Sequence, residues 1–323
     1  ARPGAPASNR HRNSRRGLLL SDGGMRPMMN QTVRVARHIG ITLVVLMAGH
    51  AGAHTLFLKP DTFFLTSGQD VTMPLINGTF ETSENRVPPN RMSDATLVAP
   101  DGSDTDIDDS QWSFSGNVTN LSARFEQDGN YVIGIGTRPM MARVAPENFN
   151  FYLRYEGLKD HTTEREALSE TDIGAAERYQ KFSKAILQVG EAQSDNFDVE
   201  FGYPVEIVPL QNPYTLKPGD TFRARILKDG TPLANEYVYA THERHYEQSD
   251  EGIFDELVGV QSDENGEIEF VLEEPGRWYI RFIHLTRMGD KEHWYSGILV
   301  SLGAEERRIP YESFWATLTF EVR

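Results

Sequence analysis

The chain has 323 residues, no cysteine, and a formal net charge of −15 from 32 Lys and Arg against 47 Asp and Glu. The lack of cysteine excludes disulfides and thiolate metal sites. The acidic balance argues against nucleic acid or an anionic membrane as a partner.

The first 53 residues have the order of an upstream extension followed by a secretory signal. Residues 1–24 are rich in Arg, Gly, Pro and Ser, and we expect them to lie outside the fold. Two Arg then precede an uncharged run over residues 39–48 and the small residues at 51–53. A bilayer span needs about 20 apolar residues, so we expect a cleaved leader, no membrane span after cleavage, and a periplasmic or secreted protein.

Cleavage after Ala53 would make His54 the first residue of the mature protein. The first 53 residues hold eight Arg and one Asp, so the mature chain has 24 basic and 46 acidic residues, a net charge of −22. An amino-terminal histidine offers its α-amine and its ring Nδ1 to one ion. Because the amine titrates near 7.7–8.0, a metal ion can displace its proton at neutral pH. His54 is therefore a candidate metal ligand.

Residues 54–157 are predicted to form an amino-terminal β-rich domain. Residues 118–125 and 131–135 are strand-like and flank an Asp-Gly turn, which predicts a hairpin. Phe149, Phe151, Leu153 and Tyr155 alternate, which predicts another strand. Short strands at such spacing are typical of a β-sandwich.

Residues 158–195 are predicted to form a helical insert or linker, with a helix over residues 163–188. Ile173, Ala176, Tyr179, Phe182 and Ile186 recur at spacings of three and four, which gives one apolar face. In this interpretation Lys181 and Lys184 lie in the last turns, where a cation favours the helix dipole.

Residues 196–323 are predicted to form a carboxy-terminal Ig-like β-sandwich domain. Alternating strands are expected at residues 221–227, 236–241, 267–272, 277–284 and 314–322, separated by Gly, Pro and Asp turns. The run dG-x-P-L, V-x-A, D-x-x-G and G-x-W/Y resembles the sandwich of carboxypeptidase-regulatory and prealbumin-like modules. The predicted fold is therefore mainly β, with two Ig-like or β-sandwich regions and one helical insert between them.

Several features together resemble a family of bacterial exported proteins. They are Ala-His after a leader, the segment at residues 178–185, the second sandwich and the closing segment at residues 311–320. That family is a domain of unknown function often labelled as nickel-uptake-transporter-like or as a cobalt/nickel transport periplasmic component. The resemblance implies a periplasmic metal-handling protein with a membrane metal transporter as partner. Only the opening histidine, His54, is carried over from the family.

The mature chain has six histidines, and four of them are candidate metal ligands: His54, His242, His245 and His293. Imidazole suits Ni, Cu and Zn, and we expect a transition-metal ion, Ni, Co or Cu, as the bound species. His284 ends an apolar strand face and is predicted to be a core residue with its polar atoms satisfied.

The leading hypothesis is a periplasmic metal-binding accessory protein for nickel, cobalt or copper uptake or buffering, not an enzyme. The sequence has no G-x-S-x-G, H-E-x-x-H or phosphate-binding glycine loop. One alternative is a non-catalytic β-sandwich binding or adhesion module of the cell envelope, for which Trp112, Trp294 and Tyr295 would supply surface aromatics. The other is a copper oxidase with an amino-terminal histidine chelate and a second histidine.

Overall fold

A computed structural model describes residues 54–80, 82–243, 258–289 and 308–323. All of them belong to one compact unit, Met47–Arg323. The described residues form the following elements: β1 (Thr55–Leu58), β2 (Phe64–Leu65), β3 (Gln69–Gly78), β4 (Met92–Val98), β5 (Asp104–Asp106), β6 (Trp112–Ser115), β7 (Val118–Phe125), β8 (Gly129–Thr137), β9 (Met140–Val144), α1 (Pro146–Tyr155), α2 (Lys159–Ala167), β10 (Gly174–Val189), β11 (Val205–Pro209), β12 (Thr221–Lys228), β13 (Thr231–Pro232), β14 (Tyr237–His242), β15 (Val258–Gln261), β16 (Glu267–Val271), β17 (Gly276–Arg287) and β18 (Arg308–Val322). The prediction of a mainly β protein is confirmed.

The strands form three sheets. The first has the order β1-β3-β7-β6, and the third has the order β11-β12-β13 with β16 also paired to β12. The second is ten-stranded, with the order β15-β14-β17-β18-β10-β8-β4-β5 and with β2 and β9 also paired to β10. In the part of the chain with described coordinates, no helix is long and apolar enough to cross a bilayer.

Among the described residues, two large apolar cores lie between these sheets, beside two smaller apolar clusters. The first core includes Leu58 from β1, Leu121 from β7 and Ile133 from β8. The second core joins the third sheet to the β14-β17-β18 part of the second sheet, and includes Phe222 and Phe320. The strand β12 shows how the sequence specifies this packing, since its buried residues alternate with exposed Thr221 and Arg223.

The strand β10 belongs to both cores. Its residues Gly174 to Ala185 pair in parallel with β18, and Ile186 to Val189 pair antiparallel with β8. Phe182 and Ile186 lie in the second core, whereas Ala185, Leu187 and Val189 lie in the first. The ten-stranded sheet thus contains strands from all three predicted parts of the chain, and the boundaries at residues 157 and 195 stay a prediction.

The helix predicted over residues 163–188 is wrong. Residues 159–167 form α2, and residues 174–189 form the strand β10. Because both faces of β10 are covered, apolar residues occur on each face and mask the two-residue alternation of a strand. Lys181 and Lys184 therefore lie inside a sheet with 8% and 3% exposure, and do not cap a helix.

The strand predicted at residues 149–155 is also wrong, because these residues belong to α1. Pro146 occupies the first turn of α1, where its missing N–H costs nothing. Phe149, Tyr152 and Leu153 lie three and four residues apart and are buried against β17 and β18. The three- and four-residue spacing of these side chains matches the observed helix, whereas the two-residue alternation does not.

The predicted hairpin of β7 and β8 is a connection between sheets. β7 pairs with β3 and β6, whereas β8 pairs with β4 and β10. Phe125 and Tyr131, on either side of the turn, pack with ring centroids 4.9 Å apart inside the first core. The turn therefore passes from one layer of the first sandwich to the other. The strands predicted in the second half are confirmed as β12, β14, β16, β17 and β18.

Candidate functional site

His54 directly precedes β1, and β18 fixes the position of that strand. Thr317 Oγ1 donates a hydrogen bond of 2.7 Å to the Leu56 carbonyl, and Thr319 Oγ1 donates one of 2.9 Å to the Leu58 carbonyl. On its other side β1 pairs with β3, with Leu56 in register with Asn77. The backbone that leads to His54 is therefore held from two directions.

A loop after β3 turns back and brings Glu84 to His54. The Glu84 N–H donates to the Asn77 carbonyl at 3.1 Å, and Ser83 forms an antiparallel bridge with Gly78. A Cβ at Gly78 would lie 2.1 Å from the Thr82 carbonyl oxygen. Glycine at this position allows the loop to pack directly on the strand.

The His54 ring contacts the Glu84 carboxylate. Its Nε2 lies 2.8 Å from Glu84 Oε2, with side-chain exposures of 13% and 44%. The other ring nitrogen, Nδ1, lies 3.4 Å from Asn85 Nδ2. A carboxylate that accepts from Nε2 holds the proton there and leaves the lone pair on Nδ1. Nδ1 is the ring nitrogen that can chelate an ion together with the α-amine.

A cavity of about 320 Å³ lies beside this pair and is lined in part by His54. Three basic side chains line it, Arg86, Arg91 and Lys181, and none of its described lining residues is an aspartate or glutamate. Lys181 Nζ donates to Asn77 Oδ1 at 2.8 Å. The cavity wall is therefore positive, although the protein as a whole is acidic.

Buried carboxylates lie behind this wall. Glu177 accepts hydrogen bonds from Ser313 and Tyr152, and burial raises its pKa to about 7. Burial lowers the pKa of Lys181 to about 7, although the negative charge of Glu177 opposes that shift. Proton binding at these two groups therefore changes near neutral pH.

The structure describes two of the four predicted metal ligands. His54 lines the cavity, whereas His242 ends β14, in register with Trp278 and with its ring 5.0 Å from the Trp278 ring. His245 and His293 lie outside the described residues. Within the described ranges, no group of three or more His, Cys, Asp or Glu is arranged to hold a metal ion. In the described residues the site at His54 thus consists of the histidine and Glu84, and a joint site of His54 with two of His242, His245 and His293 stays a prediction.

The structure also tests the predictions for His284 and for the surface aromatic Trp112. His284 has a polar partner as predicted, since its Nδ1 lies 2.8 Å from Glu236 Oε2, but its side chain is 23% exposed and it is not a core residue. Trp112 is 8% exposed and packs in the first core, so it is not a surface aromatic. Trp294 and Tyr295 lie outside the described residues.

The sequence analysis missed Glu84 and the basic cavity wall. Glu84 lies in a loop without periodicity, and only the fold brings it to His54. The spacing around Lys181 is compatible with a strand but was interpreted as part of a helix. Lys181 lies two and four residues after Tyr179 and Glu177, and on a strand this spacing puts all three on one face.

The comparisons with solved structures give distant likenesses. The D0-D1 domain of intimin is 8% identical with a TM-score of 0.18, covering 82% of this chain and 96% of that chain. Trypsin-activated alpha-2-macroglobulin from Escherichia coli is 9% identical with a TM-score of 0.22, covering 82% of this chain but only 15% of that chain. A DUF4785 family protein from Legionella pneumophila is 10% identical with a TM-score of 0.22, covering 70% of this chain and 51% of that chain. With TM-scores this low, these likenesses carry no argument about function.

Sequence comparison gives a family but no characterised relative. No curated protein matches the chain. The family described as Domain of unknown function (DUF4198) matches residues 51–286. Because this range covers well over half of the 323 residues, the protein belongs to that family.

Proposed function

We propose that the protein is an exported accessory protein that binds a Ni²⁺, Co²⁺ or Cu²⁺ ion through His54 after its leader is removed. Its role would be uptake or buffering of the ion in the periplasm or outside the cell. The ion is the cargo, and the amine and Nδ1 of His54 are its protein ligands. A membrane metal transporter is the partner that the family resemblance implies.

The contact between His54 Nε2 and Glu84 Oε2, at 2.8 Å, carries this proposal. Metal-ligating histidines usually donate their second ring N–H to a carboxylate, which fixes the tautomer and raises the basicity of the ligating nitrogen. Here the carboxylate lies on the ring nitrogen that a chelate with the amine does not use. The net charge of −22 predicted for the mature chain raises the concentration of cations around the whole protein, whereas the basic cavity wall beside His54 acts locally in the opposite direction.

The decisive experiment compares three versions of the mature protein. The first begins at His54, the second has one alanine before His54, and the third has one alanine after Arg323. Mass spectrometry of the exported protein first establishes the amino terminus. Calorimetric titration with Ni²⁺ and Cu²⁺ at pH 7.5 then gives the affinities.

We expect the alanine before His54 to weaken binding at least tenfold, because the side chain keeps its position but loses the adjacent amine. The alanine after Arg323 should change nothing. Cu²⁺ binds most nitrogen sites more tightly than Ni²⁺, so the comparison is made between proteins and not between metals. Equal affinities in all three proteins would remove His54 from the site. Turnover of a reductant and peroxide by the copper form would favour the oxidase alternative instead.

A further inference from the structure

We propose that the cavity beside His54 binds a small dicarboxylate or tricarboxylate anion through Arg86, Arg91 and Lys181. This inference goes beyond metal binding and does not require it. It starts from the sign of the charge on the cavity wall. The whole chain has 15 more acidic than basic residues, yet three cations and no described carboxylate line the cavity.

The contacts of the three cations in the structure are mainly with neutral groups, and the buried Glu177 carboxylate acts on Lys181 from behind the wall. Lys181 Nζ donates to the amide oxygen of Asn77, a neutral partner, at 2.8 Å. The Arg86 guanidinium lies 5.4 Å from the centre of the Phe114 ring. Arg91 Nε is buried and has no hydrogen-bond partner among the described residues.

The cations also come from three separate parts of the fold. Arg86 lies in the loop after Glu84, Arg91 ends the turn before β4, and Lys181 lies on β10. Like charges around one partly desolvated cavity repel one another. An anion with carboxylates at separate ends would contact several of them at once.

The remaining wall suits the same class of ligand. The amides of Asn77 and Asn85 and the hydroxyl of Thr137 also line the cavity. Amide N–H and hydroxyl groups donate to carboxylate oxygens. The arginine guanidiniums provide the planar pair of donors that matches a carboxylate. A cavity of about 320 Å³ lies in the size range of small-molecule sites, roughly 300–1,000 Å³.

The test is a calorimetric titration with citrate and succinate in resin-treated, metal-free buffer at pH 7.0 and low ionic strength. Succinamide serves as the neutral counterpart of succinate, and inorganic phosphate is titrated in parallel. The variants are Arg86→Gln and Arg91→Gln. Arg86 is exposed, so its replacement leaves the core intact. The control is Arg124→Gln, which removes an exposed cation on β7 that pairs with Asp70 and Glu126.

We expect citrate or succinate to bind the unaltered protein, each cavity variant to bind at least tenfold more weakly, and Arg124→Gln to bind unchanged. Circular dichroism checks that every variant is folded. No heat with either carboxylate, or an equal loss in Arg124→Gln, would overturn the proposal. Phosphate or succinamide binding as tightly as succinate would overturn the assignment to carboxylates. Because no metal is present, failure here leaves metal binding at His54 unaffected, and the reverse also holds.

Discussion

Lys184 Nζ lies 3.0 Å from Glu206 Oε2, and each side chain is 3% exposed. Lys184 lies on β10 and Glu206 on β11, so the pair joins the second sheet to the third within an apolar surrounding. Glu206 also accepts the backbone N–H groups of Phe201 and Tyr203. Burial lowers the pKa of Lys184, and the negative charge of Glu206 opposes that shift. The pair therefore depends on both partners being present.

Replacing Lys184 with Met should lower the free energy of unfolding by about 3–5 kcal/mol, because it leaves the Glu206 carboxylate buried without its cation. The measurement is equilibrium unfolding in urea. The matched control is Lys228→Met. Lys228 pairs with Asp229, which is 70% exposed, and we expect a change of about 0–1 kcal/mol. Similar losses in the two variants would contradict a special role for the buried pair.

Glu177 should make the protein less stable as pH rises from about 4.5 to about 7. Its pKa is 4.5 in the unfolded chain and about 7 in the folded protein. Between these values the folded state binds more protons, so the free energy of unfolding falls with rising pH. At about 1.4 kcal/mol per pKa unit the total is about 3 kcal/mol. Lys181, with its pKa lowered from 10.5 to about 7, acts in the opposite direction and adds stability between pH 7 and 10.5.

The variant that checks this is Glu177→Gln, which keeps a similar shape without the titrating group. Its stability should match that of the unaltered protein near pH 4 and exceed it by up to about 3 kcal/mol at pH 8. Some slope should remain, because burial also raises the pKa of Glu156. Urea unfolding across this pH range gives the curve. A constant difference between the two proteins would show that the pKa of Glu177 is the same in the folded and unfolded states.

The strand β12, which faces water on one side, could be predicted from its two-residue period, whereas β10, which is covered on both faces, could not. On β12, Phe222 alternates with exposed neighbours, so the two-residue period is visible. On β10, Phe182 and Leu187 are buried on opposite faces, in different cores. Local periodicity cannot separate such a strand from a helix, because the faces are defined only by the sheets that cover them.

Of the candidate site, His54 could be predicted from the sequence, whereas its neighbours could not. The leader pattern identifies His54 because a cleavage signal is local in the sequence. Glu84 lies 30 positions further along the chain and reaches His54 only through the loop that packs on β3. Arg91 and Lys181 come from different elements as well. Contacts that depend on the order of strands in a sheet produce no regular spacing of residues along the sequence.

Gly78→Ala should displace the loop that carries Glu84. The added Cβ would lie 2.1 Å from the Thr82 carbonyl oxygen, so the loop must move. We expect the free energy of unfolding to fall by about 1–3 kcal/mol, as in other overpacked sites, and Ni²⁺ binding by the mature protein to weaken. The control is Gly289→Ala, where an added Cβ meets no atom of the described residues within 4 Å. Unchanged stability and affinity in Gly78→Ala would show that the loop tolerates a side chain there.

Glu84→Ala should weaken Ni²⁺ binding to the mature protein by about 10- to 100-fold, as for other carboxylates that orient a ligating histidine. Without the contact at 2.8 Å, the His54 ring loses the partner that holds the proton on Nε2, and the Nδ1 lone pair is no longer assured. Glu84→Gln keeps an oxygen acceptor but removes the charge. We therefore expect its Ni²⁺ affinity to lie between those of the unaltered protein and Glu84→Ala. The control is Glu126→Ala, which removes a 67% exposed carboxylate paired with Arg124. Calorimetry with Ni²⁺ at pH 7.5 gives the four affinities. If Glu84→Ala and Glu126→Ala lose equal affinity, the effect is general charge and not ring orientation. If neither loses affinity, Glu84 does not support the ligand.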